Sequence, residues 1–232
     1  MKAIFFDFGG TIVTEESDRV AHYHIASYVK ERYEIPLSHE EIDKILTEDL
    51  LRKMKSAYLS WPPVAEILKN SFEKLLLSFG RKPKDSEKEK FVRVYYDTHV
   101  EYMEPFPDAI PTLEKIRGRF GGHMGIISDI VDYLIHGILK KYDLYRFFDS
   151  VTTSEEVGVG KPNPQIFLEA FKKAGVEAKD SIYIGNSPEH DVIGAKGAGM
   201  KVILVGQANH ELADFKVKQI GEILPIIFDG RL

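Results

Sequence analysis

A short apolar run opens the chain: residues 3–6 read AIFF and stop at the charged residue Asp7. An unbroken apolar run of this length is typical of a strand buried on both faces of a parallel sheet. Gly9 and Gly10 follow and permit a sharp turn. Ligands of open α/β sheets bind at the carboxyl ends of the strands, which makes Asp7 a candidate site residue. The ordinary alternative is an aspartate that only caps the turn.

The pattern becomes helical between residues 15 and 104, where apolar positions recur every three or four residues and strand-like runs are absent. Prolines and a charged stretch divide this segment into four predicted helices, with periodic positions at 20–31, 42–50, 64–79 and 91–102. Four helices inserted after one strand predict an all-helical cap domain over residues 15–104. The alternative is that they pack on the sheet as ordinary crossover helices.

Alternation of strands and helices resumes after the proline-rich segment at 105–108. Strands are predicted at 123–128, 150–153, 181–185 and 201–205, and helices at about 109–117, 131–142, 164–174 and from about 191. Isoleucines and a leucine between 220 and 227 suggest a closing helix and a final strand. Such alternation predicts an α/β fold, a Rossmann-like parallel sheet with helices on both sides. The predicted core is discontinuous, residues 1–14 and 105–232.

Composition narrows the classes of function. The 232 residues carry a formal charge of 31 − 36 = −5, and no basic run is longer than a Lys-Lys pair. This argues against nucleic acid and membrane partners. Cysteine is absent, which excludes disulfides and thiolate chemistry. We therefore expect a cytoplasmic protein that acts on a small molecule, with its oligomeric state left open.

Polar residues follow four of the predicted strands. Asp7 follows the first, Ser128 ends the second, Lys161 lies in the loop after the third, and Asn186 and Asp191 follow the fourth. Each has an ordinary explanation: a strand-end hydroxyl, a solvated charge, or a helix N-terminal residue placed by the helix dipole. Because the carboxyl ends of parallel strands share one edge, we expect the four loops to meet.

This ordered set resembles the haloacid dehalogenase superfamily over essentially the whole chain. Asp7, Gly10 and Thr11 match its Asp-x-Asp-Gly-Thr motif. Ser128 matches the hydroxyl motif of the family, and Lys161 followed by proline matches its Lys-Pro loop. The segment at 185–200 is similar to its metal-loop motif.

The resemblance implies a phosphohydrolase in which Asp7 is the nucleophile and forms an aspartyl-phosphate. Lys161 would neutralise the nucleophile and the phosphate, Ser128 would donate a hydrogen bond to a phosphate oxygen, and Thr11 would orient the loop. Mg²⁺ would be held by oxygen ligands, as hard cations require. By resemblance these ligands belong to Asp7, Gly9 (through its carbonyl), Asn186 and Asp191.

Two departures bear on the reaction. Gly9 stands where phosphatases of the family keep a second aspartate, the acid that protonates the leaving alcohol; such help is typically worth about 10²–10⁴-fold. Asn186 stands where the metal-loop motif of the family has an acidic residue, so this loop carries one negative charge fewer. Without a substitute acid, aryl or acyl phosphates should be hydrolysed faster than sugar phosphates. The substitutes that the sequence offers are Glu15, Glu16, His22, His24 and His190.

The same superfamily includes 2-haloacid dehalogenases, in which Asp7 would displace halide from carbon without a metal. Pro188 argues against this alternative, because those enzymes keep an asparagine there. They also need a cap arginine, for which Arg19 and Arg52 are available. A lysine-based phosphonate hydrolase and a non-catalytic binding or regulatory module complete the alternatives.

Two features of the predicted cap have an ordinary structural interpretation. His22 and His24 are two residues apart and therefore lie on different faces of a helix, which makes them a poor metal pair. Tyr58 and Trp61 are interpreted as cap core rather than as a substrate pocket.

Overall fold

The computed structural model describes residues 1–229, so the last three residues of the predicted core segment 105–232 lie outside the described residues. The strands in this part of the chain are β1 (Ala3–Phe6), β2 (His123–Ser128), β3 (Ser150–Thr153), β4 (Ser181–Gly185), β5 (Lys201–Val205) and β6 (Phe215–Val217). They form one parallel sheet in the order β3-β2-β1-β4-β5-β6. The predicted α/β class with a parallel sheet is thereby confirmed.

Ten α-helices occur in residues 1–229. They are α1 (Glu15–Tyr33), α2 (His39–Met54), α3 (Val64–Leu77), α4 (Asp85–Tyr102), α5 (Ala109–Arg119), α6 (Asp132–Lys141), α7 (Ser154–Val157), α8 (Pro164–Ala174), α9 (Ile193–Gly197) and α10 (Ile223–Phe228). None of them combines the length with the apolar character that crossing a bilayer requires.

The C-terminal segment differs from its prediction. The closing helix is present as α10, but the last strand, β6, comes before this helix instead of within residues 220–227. With three residues at the edge of the sheet, β6 pairs with β5 alone and is too short to show an alternating pattern. The helix predicted from about residue 191 is likewise preceded by a π-helical turn at Pro188–Val192.

β1 lies in the middle of the sheet between β2 and β4, and all four of its residues are buried. Successive side chains of a strand point to opposite faces, and the two hydrophobic clusters follow this rule. Ile4 and Phe6 belong to the cluster on one face, and Ala3 and Phe5 to the cluster on the other. The position of β1 places Asp7 at the centre of the carboxyl edge.

The four helices between residues 15 and 102 contribute nearly all of one hydrophobic cluster, which Val131 joins from outside this segment. Its centre contains Phe72, which stacks on Phe91 with ring centroids 4.5 Å apart. The two chain segments that connect this bundle to the sheet run side by side, because Thr14 N donates to Glu104 O at 2.9 Å. This arrangement supports residues 15–104 as a cap inserted into a core of residues 1–14 and 105–232, a division that we keep as a proposal.

A loop of the helical bundle also contacts the loop that carries Lys161. Gly160 N donates to Ala57 O at 2.8 Å, and Trp61 N donates to Gly158 O at 2.7 Å. Trp61 packs against the hydrophobic cluster of the bundle, whereas Tyr58 is exposed. The bundle is thus bonded to the carboxyl edge of the sheet at a point away from the connecting segments.

We expect Phe72→Ala to lower the free energy of unfolding by about 3–5 kcal/mol, because it leaves a cavity in the centre of the helical cluster. The matched control is Phe79→Ala just beyond α3, where the side chain is 41% exposed and the loss should be about 0.5 kcal/mol or less. Urea unfolding of both variants measures the difference. Equal losses would contradict a separate, well-packed cluster at Phe72.

Candidate active site

The four predicted loops meet at the carboxyl edge of the sheet. Asp7 follows β1, Ser128 ends β2, and Asn186 follows β4. Lys161 lies between α7 and α8, in the connection that follows β3. Lys161 reaches both Asp7 and Asp191. The predicted gathering of these side chains is therefore what the structure shows, although their chemical roles stay predictions.

The turn after Asp7 is tight. The carbonyl of Phe8 accepts hydrogen bonds from the amides of Ile12 and Val13 at 2.8 and 3.0 Å. Gly10 has φ +73°, and a Cβ at this position would come within 2.2 Å of the Asn186 side chain. Only glycine suits both the left-handed conformation and the close approach.

A buried ammonium group holds two carboxylates together at the centre of the site. Lys161 Nζ lies 2.7 Å from Asp7 Oδ1 and 2.7 Å from Asp191 Oδ1. It also donates to Tyr183 Oη at 3.1 Å. Lys161, Asp7 and Asp191 are only 3%, 5% and 1% exposed. Charges this deeply buried are stable only when paired and hydrogen-bonded, so the three residues depend on one another.

The pKa values follow from this arrangement. Burial raises the pKa of Asp7 to about 7, a rise that Lys161 opposes and the charge of Asp191 reinforces. Burial alone would lower the pKa of Lys161, but the charges of Asp191 and Asp7 outweigh it and hold that pKa well above 10.5. Lys161 therefore stays cationic, and Asp7 ionises near neutrality.

Asp191 uses its carboxylate to order the loop that follows β4. Its Oδ1 accepts from Lys161 and from Tyr183 Oη, the latter at 3.0 Å. Its Oδ2 accepts from the backbone amides of Asn186 at 2.9 Å and Ser187 at 2.8 Å. Both oxygens are occupied by protein donors, and this geometry favours a positioning role for Asp191 over the predicted role as a metal ligand.

Three other groups converge where a cation would fit. The end of the Asn186 side-chain amide lies 3.1 Å from Gly9 O and 3.2 Å from Asp7 Oδ2. In one orientation of the Asn186 amide, its nitrogen donates hydrogen bonds to Gly9 O and Asp7 Oδ2. In the other orientation, three oxygen atoms face one another, and this arrangement is stable only with a cation among them. A carboxylate, a carbonyl and an amide oxygen are a ligand set that suits Mg²⁺. Asp7, Gly9 and Asn186 therefore fit the ion.

A cavity of about 280 Å³ opens beside the Asp7 turn, between the sheet edge and the helical bundle. Gly9, Ser128 and Asp129 line it on the side of the sheet. Thr11 is fully buried, with Oγ1 3.4 Å from Asp7 Oδ2. Ser128 thus faces the space where a substrate would lie, and Thr11 supports the turn from inside.

Asp129 comes directly after Ser128 and was not among the residues predicted from the sequence. Asp129 Oδ1 accepts from Lys161 N at 2.8 Å, and its Oδ2 lies 3.0 Å from His190 Nδ1. Burial raises the pKa of Asp129, but Lys161 and His190 outweigh this and lower it. The hydrogen bond to Asp129 raises the pKa of His190 against the effect of burial. The sequence did contain a signal for Asp129, because it is a second polar residue directly after the end of β2.

The candidate acids lie in different places. Glu15 lines the cavity, and its Oε1 lies 3.4 Å from the side-chain amide of Asn186. His22 also lines the cavity, on the side of the helical bundle. Glu16 pairs with Arg19, and His24 stacks on Tyr102 with ring centroids 3.9 Å apart. His190 is engaged by Asp129. Of these candidates, Glu15 is the one whose side chain contacts Asn186, the residue packed against Gly10 of the Asp7 turn.

The arginines that a haloacid dehalogenase would need are not at the cavity. Arg19 bonds Glu16, and Arg52 bonds Asp49 at 2.7 Å on the surface. Within residues 1–229, no arginine lines the cavity beside the Asp7 turn. Among the described residues, the carboxylate of a haloacid would therefore find no guanidinium in this cavity.

Comparisons with known proteins place the chain in a family. The model of the haloacid dehalogenase-like hydrolase family matches residues 4–205. Glyceraldehyde 3-phosphate phosphatase from Methanopyrus kandleri is 30% identical over 241 aligned positions, which cover 98% of this chain and 97% of that protein. The protein of the same name from Methanothermobacter thermautotrophicus is 28% identical, with 99% and 96% covered.

Solved structures share the fold. A haloacid dehalogenase-family phosphatase from Thermococcus onnurineus superimposes with a TM-score of 0.69 at 28% identity and full coverage of both chains. A 2-haloacid dehalogenase from Pseudomonas syringae has a TM-score of 0.76 at 21% identity, with 98% of each chain covered. The second likeness concerns the fold alone.

We expect Lys161→Met to lower the free energy of unfolding by about 3–5 kcal/mol at pH 8, because it leaves two buried carboxylates without their cation. Loss of the cation raises the pKa of Asp7 further, and protonation of Asp7 relieves part of the penalty as the pH falls. The loss measured by urea unfolding should therefore shrink between pH 8 and pH 5.

The control for this variant is Lys2→Met, which breaks a 2.7 Å ion pair with Asp180 on the surface. Its loss of stability should be far smaller. A loss in Lys161→Met that grows toward low pH would contradict the assignment of Lys161 as the cation of the buried group.

Proposed function

Because the chain belongs to the haloacid dehalogenase-like hydrolase family, we propose that it is a Mg²⁺-dependent phosphatase that acts on a small phosphorylated metabolite. The observation that carries the proposal is the Asp7 carboxylate: Lys161 holds one of its oxygens, and the other lies 3.2 Å from the Asn186 amide, which also lies 3.1 Å from Gly9 O. A nucleophilic carboxylate and a phosphate ester repel each other, and a site with this distribution of charge counters that repulsion.

The proposed reaction has two displacements. Asp7 attacks phosphorus, the ester P–O bond breaks, and the leaving alcohol takes a proton, which produces an aspartyl-phosphate. Water then attacks the same phosphorus, gives up a proton to a base, and releases inorganic phosphate and the Asp7 carboxylate. Ser128 donates to a phosphate oxygen, and Lys161 balances the negative charge that both steps concentrate at the site.

Asp7, Gly9 and Asn186 would hold the magnesium ion, and we assign Asp191 to the positioning of Lys161 and of the loop after β4. The ion would supply charge neutralisation for the phosphate oxygens. One negative charge fewer at Asn186 should weaken Mg²⁺ binding relative to a site that has an aspartate there. The proposal places the enzyme in the cytoplasm with a soluble metabolite as its substrate.

Two relatives that match the chain over almost their whole length are named glyceraldehyde 3-phosphate phosphatase. We propose a substrate of the same chemical class, a short-chain alkyl phosphate. A cavity of about 280 Å³ is large enough for such a molecule. An alkoxide is a poor leaving group, so this substrate needs a proton donor that Gly9 cannot supply.

We propose that Glu15 supplies this proton and later accepts the proton of the attacking water. Glu15 lines the cavity and lies 3.4 Å from the Asn186 amide, at the end of the Asp7 turn. It belongs to the first turn of α1 and not to the turn itself. A carboxylate from the helical bundle would then perform the task that position 9 performs in other phosphatases of the family.

The first test is a substrate screen with phosphate esters, glyceraldehyde 3-phosphate among them, and with 2-haloacids, each with Mg²⁺ and with chelator. We expect phosphate release that requires Mg²⁺ and falls to background in Asp7→Asn. The exposed Asp143→Asn variant is the matched control and should retain full activity.

Other outcomes of the screen decide between the alternatives. Halide release that continues in chelator and disappears in Asp7→Asn would establish a dehalogenase instead. If no phosphate ester or haloacid is turned over in either condition, the chain is a non-catalytic binding module.

The second test concerns the proton donor. Glu15→Gln should lower kcat on an alkyl phosphate by about 10²-fold or more, the low end of general acid–base catalysis, and lower kcat on an aryl phosphate much less. The effect on the aryl phosphate is smaller because an aryl oxide is a stable anion that can leave without being protonated. Glu16→Gln is the matched control, because Glu16 pairs with Arg19 outside the cavity.

Gly9→Asp should restore the activity of Glu15→Gln on the alkyl ester. An added Cβ at Gly9 meets no atom of residues 1–229 within 4 Å, so the turn can accept the side chain. If Glu15→Gln slows both esters equally, Glu15 positions the loop and does not transfer the proton.

A further inference from the structure

Three side chains of the helical bundle bring one potential metal-ligand atom each close together. Asp18 and His22 lie one turn apart on the same face of α1, and His99 lies on α4, which packs against it. Their ligand atoms all lie within 4.8 Å of one another. All three residues line the cavity beside the Asp7 turn.

The second nitrogen of each imidazole is already committed. His22 Nδ1 lies 2.7 Å from Asp43 Oδ1, and His99 Nδ1 lies 2.7 Å from the carbonyl oxygen of Tyr95. A carboxylate and a carbonyl only accept hydrogen bonds, so both Nδ1 atoms carry a proton. In its neutral form, each ring therefore presents the lone pair of Nε2.

These two lone pairs face each other. His22 Nε2 and His99 Nε2 are 3.4 Å apart. The Asp18 carboxylate adds oxygens 3.5 Å from His99 Nε2 and 3.8 Å from His22 Nε2. Three electron-rich atoms at these distances repel one another unless a positive charge lies among them, either a proton or a metal ion.

The spacing agrees with a tetrahedral transition metal. Zn–N bonds of about 2.0–2.1 Å place two ligand nitrogens roughly 3.3–3.4 Å apart in a tetrahedral site. The observed separation of the two Nε2 atoms is 3.4 Å. Histidine ligands of a metal also donate their other N–H to a carboxylate or a backbone carbonyl, as His22 and His99 do here.

We propose that Asp18, His22 and His99 bind a divalent transition metal ion of the Zn²⁺ class. Two imidazoles and one carboxylate suit such an ion, whereas Mg²⁺ prefers oxygen ligands throughout. The ion is separate from the Mg²⁺ proposed at Asp7, and its binding does not depend on the proposed function. Because the three ligands line the same cavity as Gly9 and Ser128, an oxygen of a bound substrate could complete the coordination of the ion.

The test measures bound zinc directly. Purified full-length protein is equilibrated with Zn²⁺ in excess Mg²⁺, dialysed, and analysed for zinc per chain; we expect about one bound ion. His22→Ala and Asp18→Asn should lose it. His24→Ala, on the same helix but stacked on Tyr102, and Asp7→Asn should both keep it.

Two further measurements separate ligation from a structural effect. Asp43→Ala removes only the acceptor behind His22 and should weaken Zn²⁺ binding by about 10–100-fold. Co²⁺ in place of Zn²⁺ should give visible absorption bands in the wild-type protein that Asp18→Asn changes. Asp18 is 44% exposed, so this variant should fold even if a substitution at the buried His99 does not.

Three results would overturn the proposal. The first is zinc binding in His22→Ala and Asp18→Asn that equals that of the wild type. The second is loss of zinc in Asp7→Asn with retention in those variants, which would place the ion at the sheet edge. The third is absence of zinc binding in the wild type, which would mean that a proton bridges the two imidazoles.

Discussion

The ammonium group of Lys161 lies between the carboxylates of Asp7 and Asp191, 2.7 Å from each, in a place that water hardly reaches. Each of the three charges would be costly to bury alone. Together they join the turn after β1, the loop before α8 and the loop after β4. The central position of β1 in a parallel sheet brings these loops to one edge, and the ionic contacts then order them. The proposed nucleophile is therefore held by the same interaction that orders the edge of the sheet.

The cavity beside this edge has two chemically different walls. The wall from the sheet includes Gly9, whose carbonyl oxygen lies 3.1 Å from the end of the Asn186 amide, and the same amide lies 3.2 Å from the Asp7 carboxylate. The wall from the helical bundle presents the imidazoles of His22 and His99 with a carboxylate. Both arrangements concentrate electron-rich atoms around a place that a cation would occupy, but oxygen ligands favour a hard ion and imidazoles a softer one. With both proposed ions bound, a substrate in the cavity would meet positive charge from both sides.

Much of the fold could be predicted because its signals are local. The predicted bounds of β2, β3, β4, β5 and α8 coincide with those of the structure, since apolar strands and glycine or proline breaks mark them. β6 was placed wrongly because three residues at a sheet edge carry no pattern. The glycine at position 9, in place of the second aspartate of the motif, could also be recognised from the sequence, because the comparison needs only the motif itself. Among the described residues, nothing lies within 4 Å of a Cβ built at position 9, so steric crowding does not explain why an aspartate is absent there.

By itself the sequence determined the family, the parallel sheet, and the gathering of Asp7, Ser128, Lys161 and Asn186, since strand ends in such a sheet meet at one edge. Only the tertiary structure decided what each side chain touches. It directed Asp191 to Lys161 and to backbone amides, brought Glu15 to the cavity, and joined Asp18 and His22 to His99 on a distant helix. The physical reason is that periodicity specifies which face of a helix is buried, whereas its partner across the interface depends on how the helices pack.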